Sequence, residues 1–204
     1  MRRCRGVQVN PSHAHREAGT PVRTTLAAPR RSRYLACVNS EPAQAVAARL
    51  CTDCGLCCNG ALFDRVNLQP GDRPRALAAL GLRLKRRSFF NQPCTALCGT
   101  RCTIYADRPE RCRLFECRQY RDVVTGAISA DDARARIGEA RRQIAGIEVL
   151  LDALGGDNRR KPIVQRCATV LAEPPEPATA ARRTELAAAM EKLQSFLAAH
   201  FRVE

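Results

Sequence analysis

Four cysteines fall within eight residues, Cys51, Cys54, Cys57 and Cys58, and five more follow at Cys94, Cys98, Cys102, Cys112 and Cys117. An ordinary hydrophobic core needs no such density of thiols, so this stretch constrains the fold more than any other feature. The chain has 12 Cys in 204 residues, three His, no Trp, and only 4 % aromatic residues. Large buried rings therefore supply little of the core, and part of the chain must be held by disulfides or by metal. Disulfides require an oxidising compartment, usually reached through a signal peptide. The N-terminus, Met1-Arg2-Arg3-Cys4-Arg5, is charged, but Gln8, Asn10, His13, His15, Arg16 and Glu17 interrupt every apolar run that could follow. No stretch approaches the roughly 18 apolar residues that span a bilayer. The expectation is a cytoplasmic protein without a membrane segment, with reduced thiols that bind metal.

The first cluster reads C-x2-C-x2-C-C. A C-x2-C pair lets two sulfurs reach one ion from a tight turn, and Gly55 admits the positive φ that such a turn uses. Eight thiols form the expected ligand set: Cys51, Cys54, Cys57, Cys58, Cys94, Cys102, Cys112 and Cys117. With no His beside them they specify soft ligation, by zinc or iron, the latter as an iron–sulfur cluster among other forms. Adjacent residues point apart in extended chain, so Cys57 and Cys58 fit two metals, or one ligand and one support, better than one ion. Asp107 and Pro109 mark a helix start that puts Cys112 on a short helix. Cys117 lies about 500° of helix rotation further on, so it shares a metal with Cys112 only if the helix ends between them. Cys98 is an open candidate. Cys4, Cys37 and Cys167 are set aside, the last as a buried small hydrophobe, and His13 with His15 is at best a weak pair. Arg108, Arg111 and Arg113 read first as charge balance for thiolates. Tyr105 and Phe115 read as packing, and Asp53 and Asp107 as turn and cap residues.

Three segments follow. Residues 1–44, with Pro11, Pro21, Pro29, Pro42 and scattered Arg, have no period of 2 or 3.6 and read as a disordered arm or as translation from a start placed too far upstream. Residues 45–125 are the metal-binding domain. Within it Leu62–Leu68 alternates as a strand, and Asp72 is placed to cap a helix that has Pro74 in its first turn and stops at Gly81. Leu82, Leu84, Phe89 and Phe90 suggest short strand pieces. Residues 126–204 are helical. Ser129 caps a helix running to Leu154, and Gly155-Gly156 ends it. Its stripe of Ile137, Ile144, Ile147, Leu151 and Leu154 matches a second of Leu186, Met190, Leu193 and Leu197. The fold expected is α+β: a small metal-stabilised cysteine-rich core of short strands and helices, then a C-terminal helical hairpin, whose stripes could alternatively form a seam with a protein partner.

The formal net charge of +14 invites a nucleic-acid partner, but residues 1–50 hold 9 basic residues against 2 acidic ones, half of the excess. Residues 51–117 hold 11 against 6, and thiolates would offset part of that. There is no aromatic stacking platform and no C2H2 pattern, so nucleic acid is an unlikely partner.

The cysteine run, with Cys94 and the block Cys102-Thr103-Ile104-Tyr105-Ala106-Asp107-Arg108-Pro109-Glu110-Arg111-Cys112-Arg113-Leu114-Phe115-Glu116-Cys117, resembles the CxxCxxCC family, also called the YkgJ-type cysteine cluster proteins. The resemblance implies chelation of zinc or iron by the eight thiols, with Cys98 outside the pattern. The family includes the cysteine-rich part of flagellin lysine methylases, so it also implies, as an alternative, an iron–sulfur enzyme related to protein lysine methylation. A zinc-stabilised nucleic-acid-binding module is a further alternative. No glycine-rich nucleotide loop, Ser/His/Asp set or C-x3-C-x2-C run supplies a catalytic assignment.

Overall fold

The computed structural model describes residues 41–156, 158–174 and 176–203. The expected N-terminal arm, with Cys4, His13, His15 and Cys37, lies outside the described residues up to Ser40.

Seven helices and four short strands follow one another as α1 (Ala43–Cys54), β1 (Arg65–Asn67), α2 (Pro74–Ala79), β2 (Phe89–Asn91), β3 (Leu97–Cys98), β4 (Arg101–Cys102), α3 (Glu110–Leu114), α4 (Arg118–Val124), α5 (Ala130–Ala153), α6 (Ile163–Ala172) and α7 (Ala180–His200). The class is α+β, as expected. The strands make two antiparallel pairs, β1 with β2 (Val66 opposite Phe90) and β3 with β4 (Leu97 opposite Cys102).

Two hydrophobic clusters organise the chain. The first joins α1 to α5–α7 through Ala47, Leu50, Ile137, Ile147, Leu151, Leu186, Leu193, Leu197 and Phe201. It takes residues from both sides of position 125. The second, smaller cluster lies under the strands: Val66, Leu77, Leu82, Phe90, Ala96 and Ile104. Both helical stripes are consumed in the first cluster, with Leu186, Leu193 and Leu197 fully buried. A seam for a protein partner has no apolar face left in them.

The C-terminal region is three helices rather than a hairpin, because α6 intervenes and packs on both α5 and α7. It buries Ile163, Cys167 and Val170. Arg166, only 3 % exposed, ties α6 to α5 by donating to Glu148 Oε1 at 2.6 Å and to the Gly156 carbonyl at 2.9 Å. Pro162 starts α6 without a side-chain cap, so no Ser, Thr, Asp or Asn marked this helix in the sequence. At the start of α5 the Ser129–Asp132 capping box is complete.

Asp72 has a different role from the expected one. Arg73 precedes α2 without a cap bond. The Asp72 carboxylate instead accepts from Gln69 N at 2.8 Å and from Glu110 N at 2.8 Å. A Pro at N1 leaves α2 one fewer N–H to satisfy, so the carboxylate is free to serve the first turn of α3, 38 residues away.

Candidate metal centre

The cysteine run is not one loop. Cys51 and Cys54 sit in the last turn of α1, and Gly55 ends that helix with φ 71°. The reversal is tight: a Cβ at Gly55 would lie 2.9 Å from the Thr100 carbonyl oxygen in the β3–β4 turn. The chain then turns through Cys57 and Cys58, with Cys58 N and Asn59 N both bonded to the Gly55 carbonyl. From α5, Arg141 donates to the Cys54 carbonyl at 2.9 Å and to that of Asp53. A cation on the exposed carbonyls of a helix end satisfies orphan acceptors and opposes the helix dipole. This residue lies 87 positions from Cys54, and nothing local to the motif signals it.

Cys117 is the residue before α4, and α4 packs on α1. Cys51, Cys54 and Cys57 each have Cys117 as a charged neighbour. Cys54 and Cys117 both pack against the first hydrophobic cluster. These four thiols form one set.

The other four gather on the second cluster, where Cys94, Cys102 and Cys112 pack. Cys94 N donates to the Cys58 carbonyl at 2.8 Å. The neighbours that raise the Cys58 thiol pKa, after burial, are Cys94, Cys102 and Cys112. Cys57 and Cys58 thus belong to different sets, with the peptide bond between them as the seam. Cys112 is on α3, which ends at Leu114 before an extended Phe115. That break carries Cys117 away to the other set, so the pair does not share a site. Cys98 is opposite Arg101 on the β3–β4 pair, and Cys102 is opposite Leu97. Neighbouring residues of a strand face opposite sides, so Cys98 faces away from Cys102.

All eight thiols are free and half-buried. Burial pushes Cys51, Cys58 and Cys112 up to about 12 and Cys54 up to about 11, with neighbouring thiolates adding to it at Cys51, Cys58 and Cys112. Burial also raises Cys57, Cys94 and Cys117. One cation opposes this in both sets: the Arg108 guanidinium lowers both Cys51 and Cys112. Arg108 lies over the Tyr105 ring at 3.6 Å, and the Tyr105 hydroxyl donates to the Ala48 carbonyl on α1 at 3.3 Å. Phe63 and Phe115 meet edge to face at 4.8 Å. Asp53 is exposed and paired with Arg101 at 3.0 Å, a surface role.

Seven of the thiols (all but Cys94) line a cavity of about 600 Å³. Among the described residues, no three His, Cys, Asp or Glu side chains stand in a ready-made ligating array. The donor chemistry nevertheless fits a soft metal. Each set is four reduced thiols with no competing carboxylate or imidazole, on the polarisable sulfur that zinc and iron prefer.

No curated protein and no solved structure matches the chain significantly. A family model does match residues 50–133, that of CxxCxxCC, described as a "putative zinc- or iron-chelating domain". The matched stretch holds all eight thiols, about two fifths of the chain, and residues 50–133 are therefore a domain of the CxxCxxCC family.

Proposed function

We propose that the chain is a metal-binding protein with two tetrathiolate centres, one on Cys51, Cys54, Cys57 and Cys117 and one on Cys58, Cys94, Cys102 and Cys112. The observation that carries this reading is the sorting of eight free thiols into two fours, each on its own hydrophobic cluster. Closing a site draws four sulfurs to about 2.3 Å from a zinc ion. The half-buried thiols reach that array by side-chain rotation and by losing their protons. The metal is zinc or iron, and the compartment is the reducing cytoplasm, where thiols at this density stay available. Bound metal holds the fold: α1, α3, α4 and both strand pairs are short, and each centre staples elements distant in sequence.

Metal and sulfide analysis of protein purified without oxygen, with a visible spectrum, tests the proposal. Two zinc or two iron per chain, without sulfide, is the expected result. Sulfide with a broad band near roughly 400 nm would replace single ions by iron–sulfur clusters. Absence of bound metal would overturn the proposal.

A further inference from the structure

The cavity is larger than metal binding requires. An ion needs no more room than a water molecule, about 30 Å³ in the liquid, whereas the cavity measures about 600 Å³. That is within the roughly 300–1,000 Å³ of pockets that take small organic ligands.

Its wall carries polar groups with no partner in the protein. Gln92 and Gln119 both line the cavity and are each 2 % exposed. The Oε1 of each is buried without a hydrogen bond. Gln119 cannot relieve this by reversing its amide, because its Nε2 already donates to the His200 carbonyl at 2.5 Å. Arg108, on the same wall, has a buried Nε that donates to nothing. An unpaired buried polar group costs about 1–3 kcal/mol, so three on one wall specify a complement. The two carbonyl oxygens require N–H donors. Arg108, with Arg111 beside it on the lining, requires an anion. The Phe63–Phe115 pair offers an apolar surface between them.

We infer that this cavity is a binding site for a free amino acid or a closely similar zwitterion, held by its carboxylate at Arg108 and Arg111 and by its N–H groups at Gln92 and Gln119. The site rests on the tetrathiolate reading only in that the ligand would lie against both sets of thiols. Its recognition groups are not among the eight cysteines.

The test is a titration of the full-length, metal-loaded chain, followed by thermal shift and equilibrium dialysis. The probes are the proteinogenic L-amino acids, each beside the matching carboxylate that lacks the amine. The expected result is saturable millimolar or tighter binding of at least one amino acid. Its deaminated analogue should bind roughly tenfold more weakly, and Arg108→Met should weaken the amino acid by a similar factor. If circular dichroism shows Arg108→Met misfolded, Arg111→Met, at an exposed position, is read instead. Failure of every amino acid to bind would overturn the inference. So would equal binding of the deaminated analogue, or affinity unchanged by the arginine substitution. Metal is counted in the same samples: a chain without metal counts against the tetrathiolate reading, and ligand failure with metal retained counts against the amino-acid site.

Discussion

Gly55 shows how much one residue does in this domain. It ends α1 with φ 71°, and its missing side chain lets the β3–β4 turn approach. A methyl group there meets the Thr100 carbonyl oxygen at 2.9 Å and strains a left-handed backbone at once. Gly55→Ala is expected to destabilise the protein by about 1–3 kcal/mol, read as a lower urea midpoint, and to weaken metal uptake, because Cys54 and Cys57 flank the turn. Arg108 works differently. It opposes the rise in thiol pKa in both sets, at Cys51 and at Cys112. The sequence placed it correctly as charge balance for thiolates, but gave no sign that one side chain serves both sets. Gln92, Gln119 and Arg141 were not legible at all. Nothing in a linear sequence says that a glutamine is 2 % exposed, or that an arginine 87 residues on will reach a helix end.

At the scale of elements, the hairpin tip before β2 is the most costly stretch of backbone. Ser88 N bonds the Lys85 carbonyl at 3.0 Å, and the two residues between, Arg86 and Arg87, have φ of 48° and 57°. Such a turn favours Asn-Gly, not Arg-Arg. Arg86→Asn with Arg87→Gly should therefore raise stability by about 1 kcal/mol, seen as a higher melting temperature. No change would mean that the arginines are held by contacts that offset the strain. The capping box of α5 makes the opposite case: Ser129→Ala should cost about 1 kcal/mol. Elements with local signals were legible, and those without were not. Ser129 and Gly155 bracket α5 on the page, and the 3.6-residue period carries α7. Helix α1 starts at Pro42 and α6 at Pro162, neither with a side-chain cap. Their reason for being helical is burial against residues far along the chain, Ala47 and Leu50 in one case and Ile163 and Val170 in the other. The cysteine ligand candidates were legible as a list, because their spacing is local. Their division into two fours was not, because it depends on α4 packing on α1 and on Cys94 pairing with the backbone of Cys58.

For the molecule as a whole, eight half-buried thiols make stability depend on pH and on metal. A thiol whose folded pKa is raised binds its proton more tightly in the native state than in the unfolded chain. Its contribution is complete below the unfolded value near 9 and is lost as pH rises toward about 12. The metal-free protein should therefore melt at progressively lower temperature above pH 9, while the loaded protein, whose sulfurs have already lost their protons, should not. Chelation should be strongly destabilising at neutral pH. Structural zinc contributes roughly 10–16 kcal/mol in small peptides, against a total of about 5–15 kcal/mol for a whole domain. A melting curve that does not move on chelation would leave the metal no structural role. Among the described residues, no helix is long and apolar enough to cross a membrane, so the described helices are held by the two hydrophobic clusters and the proposed centres alone. The most direct measurement of the central claim is the metal count per chain in three proteins: the unaltered chain, Cys117→Ser and Cys94→Ser. Two metals in the first and one in each variant, with the retained metal in different surroundings by X-ray absorption, is the predicted result. A single metal in the unaltered chain, or one that survives both substitutions unchanged, would contradict two separate centres.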